Sequence, residues 1–125
     1  MLVRAPTVGR WSLLRRDPIA ASPDFVARQL LRRTSVVFRK TIERERMPVP
    51  WWRLVRELRT LEARGEVRGG RFVAGFDGEQ YALPEAVTLL RAVRKRGRRV
   101  AVEVPPSDPL HYRGVLTPEP QAQTA

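Results

Sequence analysis

The stretch between Pro50 and Gly65, WWRLVRELRTLEARG, leaves the chain least choice. Proline cannot sit inside a helix, and glycine readily takes the left-handed conformation that ends one, so both ends are marked. Between them Trp51, Leu54, Val55, Leu58 and Leu61 recur at helical spacing on one arc, predicting a helix from Trp51 to Arg64 with Gly65 as its cap. The opposite arc holds Arg53, Arg56, Thr60 and Arg64, with Glu57 and Glu62 toward its flanks and inner edge. One face of this helix therefore belongs to a core and the other is a basic surface.

Two further helices are expected before it. Ser22-Pro23-Asp24 is a helix start, since serine caps the first free N–H groups and proline is tolerated in the first turn. Val26, Ala27, Leu30 and Leu31 then fall on one side of a helix spanning about Asp24 to Arg33. After a break at Thr34-Ser35, a second helix is expected from Val36 to Arg46, stopped by Met47-Pro48-Val49-Pro50. Upstream, Gly9 to Leu14 (GRWSLL) reads as a short strand carrying Trp11.

After the third helix comes GEVRGGRFVAGFDGEQYALPEA, residues 65–86. Its glycines raise the question of a phosphate-binding loop. Gly70 and Gly75 have the first spacing of GxxxxGK[ST], but Phe76 stands where lysine is required. Gly69-Gly70 and Asp77-Gly78 instead read as two hairpin turns. These would set Val67 opposite Phe72, Phe76 opposite Glu79, Ala74 opposite Tyr81 and Phe72 opposite Leu83. One face then carries Val67, Phe72, Ala74, Phe76, Tyr81 and Leu83, and the other Val73, Gly75, Gln80 and Ala82. Pro84 opens a fourth helix to about Arg96, expected to bury Ala86, Leu89, Leu90 and Val93. Val100–Val104 is a strand candidate, 110–116 a weaker one, and residues 117–125 form a tail expected to be disordered.

Three helices followed by a hairpin is the order of a winged helix-turn-helix, whose third helix is the usual groove reader and whose hairpin is the wing. The fold class is thus α+β. Residues 1–21 form an N-terminal strand and connector, 22–83 the winged-helix core, and 84–116 a C-terminal helix and strand.

Charge says where such a fold would act. The chain has 24 basic against 13 acidic residues, a net +11, which points to a polyanionic partner. All but two of the basic residues are arginine, a bias that a GC-rich genome also imposes, so placement matters more than the total. The candidate nucleic-acid-binding residues are Arg53, Arg56, Thr60 and Arg64 on the third helix, and Arg68 and Arg71 at the hairpin. Arg91, Arg94, Lys95, Arg96, Arg98 and Arg99 follow in RAVRKRGRR, which reads either as a phosphate-binding stripe or as a solvated or protein-docking charge run. On the helical wheel Trp51 is core and Trp52 lies at the edge of the core face, where packing is favoured over base stacking. His111 is the one histidine and cysteine is absent, so no His- or Cys-based metal cluster or Cys-His pair is available. No catalytic residue, metal or cofactor is assigned. No apolar run reaches the length of a membrane span, and a reducing cytoplasm fits the lack of cysteine.

Several blocks carry a resemblance. GRWSLL, ARQLLRRTSVVFRKTIERE, WWRLVRELRTLEARGEVRGGRFVAGFDGEQYALPEAVTLLRAVRK and SDPLHYRGVLTP resemble the C-terminal portion of bacterial large helicase-related (Lhr-type) ATP-dependent DNA helicases. The similarity runs from about residue 9 to 118, and GGRFVAGFDGEQYALPEAV is its most specific part. That family joins a DEAD/DEAH-like motor to a long extension similar to the tandem winged-helix fold of a class of DNA glycosylases. The resemblance implies a DNA-binding accessory module in DNA repair, acting on duplex, forked or single-stranded DNA beside a helicase motor. The motor motifs are not in these residues, so the resemblance implies an end piece that is non-catalytic on its own. Two departures stand out: Thr34-Ser35 replaces an aromatic-glycine turn, and His111-Tyr112-Arg113 is more polar than the family pattern. Two alternatives remain: a protein-interaction or oligomerisation domain docking through Gly75, Gln80, Ala82 and exposed aromatics, and a glycosylase-like remnant.

Overall fold

The structure is a computed structural model, and it describes residues 12–13, 21–43, 45–97, 102–114 and 116–117. Helix α1 spans Pro23–Thr34, strand β1 Val36–Phe38, helix α2 Arg39–Ile42 and helix α3 Trp51–Ala63. Strands β2 (Arg68–Gly70) and β3 (Gln80–Ala82) follow, then helix α4 (Pro84–Arg96). The sheet order is β1-β3-β2, both pairings antiparallel. The architecture is the α+β winged-helix arrangement expected from the element order.

The two long helices of the core form for the reasons their sequences state. At the start of α1, the Ser22 hydroxyl accepts the Phe25 N–H at 3.2 Å, and Asp24 lies in the first turn where negative charge is favoured. Val26, Ala27, Leu30 and Leu31 are buried against Leu54, Leu58 and Leu61 of α3 in a single core with Val37, Val67 and Tyr81. Burial of each such leucine contributes about 1.5–3 kcal/mol. Helix α3 ends in a paired cap: Gly65 N–H donates to Glu62 O and Glu66 N–H to Leu61 O, with Gly65 at φ +76°.

The expected second helix, 36–46, is corrected to a strand followed by one helical turn. Ser35 takes a left-handed conformation (φ 61°) and donates its N–H to Leu31 O, reversing the chain at the end of α1. Val36-Val37-Phe38 is a β-branched and aromatic run, and it pairs with β3 in the register Val36↔Ala82, Val37↔Tyr81, Phe38↔Gln80. Only then does the Thr41 hydroxyl, donating to Phe38 O at 2.7 Å, open the short α2.

The hairpin also differs from expectation. Gly69-Gly70 is no turn; it lies within β2, opposite Tyr81 and Gln80, so Val67 does not face Phe72. The Gly69 N–H donates to the Glu62 carboxylate at 3.0 Å, and the missing Cβ leaves room for that carboxylate against the strand. Asp77-Gly78 is likewise not a two-residue hairpin turn: β2 and β3 are joined by the whole loop 71–79, with Gly75 and Gly78 at positive φ within it. Because β3 is the central strand, Gln80, Tyr81 and Ala82 are all buried, including the two expected on the outer face. Gln80 belongs inside because its side chain holds the loop: Oε1 accepts the N–H groups of Phe72 and Val73, each at 2.8 Å, and Nε2 donates to Val73 O at 2.9 Å. Phe76 reaches back to Phe38, ring centroids 4.9 Å apart. Ala74, expected in the core, is exposed.

Helix α4 occupies the expected residues yet buries none of them. Leu89, Leu90 and Val93, expected in a core, are 63, 41 and 56% exposed. Amphipathic spacing identifies an apolar face, but not whether the same chain covers it. The terminal strand candidates do not form among the described residues: Val102–Val104 has no assigned strand, and 105–114 runs through turns such as Asp108 N–H to Pro105 O. Of 9–14 only Ser12 and Leu13 are described, neither in a strand, while Trp11, Val100, Ala101, Val115 and the tail from 118 onward lie outside the described residues.

Candidate nucleic-acid interface

The basic arc of α3 is solvent-facing, because Leu54, Leu58 and Leu61 turn the opposite side into the core. Arg53, Arg56, Thr60 and Arg64 are all exposed. The Thr60 hydroxyl donates to Arg56 O at 3.1 Å, within its own helix, so the residue offers a small surface more than a free hydroxyl. The Arg53 guanidinium lies over the Trp52 ring, 5.2 Å from its centroid. Trp52, read as a boundary residue, is 64% exposed, whereas Trp51 is half-buried against the core.

The wing is tied to one flank of α3 by two contacts. Glu62 takes the Gly69 N–H, and Arg59 Nε donates to Glu79 Oε1 at 3.2 Å. Tyr81 donates its hydroxyl to Glu79 Oε2 at 3.1 Å. The bond from Arg59 holds the Glu79 carboxyl below the usual carboxylate range and in turn raises the guanidinium, while burial pushes the Tyr81 phenol up. Sequence reasoning passed over Arg59. Its signal was the position three residues before Glu62, on the flank that meets the hairpin.

Most of the ion pairs among the described residues lie away from the α3 arc. Arg28 bridges Asp24 and Glu66, Arg33 pairs with Glu45, and Arg39 and Lys40 meet Glu43. The Glu66 carboxyl is held low by its bond from Arg28, and that guanidinium is raised in turn. These pairs and Arg59–Glu79 use five carboxylates away from the α3 arc. Arg53, Arg56 and Arg64 on α3, and Arg68 and Arg71 on the wing, are exposed and make no ion pair among the described residues.

The C-terminal candidates divide. Arg91 is brought to Arg68: both line a cleft between β2 and α4 with Phe72 and Thr88. Arg94, Lys95 and Arg96 occupy the last turn of α4, where positive charge also complements the helix dipole. Arg98 and Arg99 lie outside the described residues. Among the described residues no helix is long and apolar enough to cross a membrane.

Comparison with known proteins agrees with this architecture. Residues 17–102 match the family model for the winged-helix domain of large helicase-related protein. The chain is 28% identical over 118 residues to the Lhr helicase/uracil glycosylase of Escherichia coli strain K12, covering 90% of this chain. It spans 8% of that relative's length. No solved structure was found to match it. A three-strand sheet, a basic third helix and a match across most of the chain lead to one assignment: the chain belongs to the winged-helix domain family of large helicase-related proteins.

Proposed function

We propose that this chain is a DNA-binding accessory module of the helicase-associated kind, with α3 and the wing as its contact surface. The observation that supports the reading most is placement: Arg53, Arg56 and Arg64 on one face of α3 and Arg68 and Arg71 on the adjoining wing are exposed and make no ion pair among the described residues. Guanidinium forks suit phosphate oxygens and the guanine edge, and placing them on a helix beside a wing gives them one shared direction. Arg53, Arg56, Thr60 and Arg64 form the centre of the surface. Arg68, Arg71 and Arg91 extend it, and Arg94, Lys95, Arg96, Arg98 and Arg99 add backbone affinity. Unwinding and glycosylase activity are named for a relative of which this chain spans 8%, and the module is proposed to act beside such activities, not to perform them.

The test is binding of a fluorescent duplex by the chain and by an Arg53→Ala/Arg56→Ala/Arg64→Ala variant. Loss of about 1.5–4.5 kcal/mol is expected if each of the three arginines contributes roughly one solvent-exposed contact of about 0.5–1.5 kcal/mol. A matched triple substitution at Arg32, Arg39 and Arg46 should cost far less. Equal loss in the two variants would refute the assignment of the surface.

One observation favours a second role. The face proposed from sequence for protein docking is not available, because Gln80 and Ala82 are buried. The exposed Leu89, Leu90 and Val93 of α4 instead form an apolar stripe suited to packing against a neighbouring domain or subunit.

A further inference from the structure

We propose that Trp52 is a stacking platform for an unpaired base, so that the preferred ligand of the α3 face is DNA with a single-stranded part, a fork above all, and not uniform duplex. This rests on the DNA-binding reading of α3 and narrows its ligand.

Three observations lead there. First, Trp52 is 64% exposed in the first turn of α3, directly after the residue that packs on the core. A large aromatic left mostly in water forgoes much of the stabilisation that burial would bring, and among the described residues this ring is not part of the core. Second, its surroundings are cationic. Arg53 lies over the ring at 5.2 Å, and Arg56, four residues on, falls on the same flank one turn away. An exposed aromatic among arginines is how sequence-tolerant single-strand sites are built: the ring takes a base and the guanidinium groups take the flanking phosphates. Third, the polar side chain at the centre of the arc is spent, since the Thr60 hydroxyl donates to Arg56 O. Apart from the guanidinium groups, the arc offers little to read base edges, whereas every base has a face to stack. A base inside a continuous duplex has both faces covered by its neighbours; one beside a junction does not.

The experiment uses the full chain and three probes of equal length: a blunt duplex, a fork with unpaired arms, and a single strand. Wild type, Trp52→Ala, Trp52→Phe and Arg56→Ala are compared at one salt concentration, each first checked for an unchanged melting temperature. Trp52→Ala should weaken fork and single-strand binding about tenfold or more, the range expected for one lost base stack. It should change blunt-duplex binding less than twofold, and Trp52→Phe should keep most of the affinity. If Trp52→Ala weakens all probes equally, or none, while Arg56→Ala weakens all of them, the stacking role is wrong and the α3 surface stands. If Arg56→Ala is also without effect on every probe, the DNA-binding reading falls and the inference with it.

Discussion

At the scale of single residues, two positions do more than their types announce. Gln80 is 1% exposed and supplies three hydrogen bonds to the wing loop. Gln80→Leu keeps the bulk but leaves the Phe72 and Val73 N–H groups without their acceptor, so chemical denaturation should show a loss of about 1–3 kcal/mol. Ser35 holds a φ of 61°, a conformation that costs a non-glycine residue about 1–2 kcal/mol. Ser35→Gly relieves that strain against the greater freedom of glycine in the unfolded chain, and should stabilise by roughly 0.5–1 kcal/mol. Neither was legible in sequence. An alternating pattern places Gln80 opposite its neighbours, and only the loop folding over it shows why glutamine is inside. The arginines of α3 were legible, because helical spacing alone separates them from the leucines. Trp52 was not, because a wheel ranks direction and does not measure exposure.

At the scale of elements, α1 and α3 could be read almost to the residue, since each combines a capping signal, a full apolar stripe and a stop. β1 could not: Val36-Val37-Phe38 is too short for periodicity to separate strand from helix, and the partner that decides is β3, more than forty residues on. The two hairpin turns failed because glycine has two uses. Gly69 serves close approach to Glu62 and not a positive φ. The contrast between α3 and α4 yields a prediction. Leu58 is fully buried, so Leu58→Ala should cost about 2–5 kcal/mol in a thermal or denaturant melt. Leu89 is 63% exposed, and Leu89→Ala should cost about 0.5 kcal/mol or less, since it leaves no cavity. A large cost at Leu89 would mean that α4 buries that face in solution.

At the scale of the whole molecule, several carboxylates act as ties, and the exposed arginines of α3 and the wing form a surface. Glu66 and Glu79 carry the clearest pH dependence. Their folded pKa values are depressed below the ordinary 4.5, so their stabilisation is fully present above that pH and is lost as pH falls through the folded values. Melting temperature should therefore hold steady from neutral pH to about 5 and decline below the ordinary 4.5. Glu66→Gln with Glu79→Gln should flatten part of that decline. The basic surface makes the opposite demand, for an anion supplied from outside. Its most direct test is the salt dependence of duplex binding by wild type and by Arg56→Ala/Arg64→Ala. The log of affinity should fall steeply with the log of salt, and losing two phosphate contacts should reduce that slope by about 1.8. A slope the double variant leaves unchanged, or binding that ignores salt altogether, would contradict it.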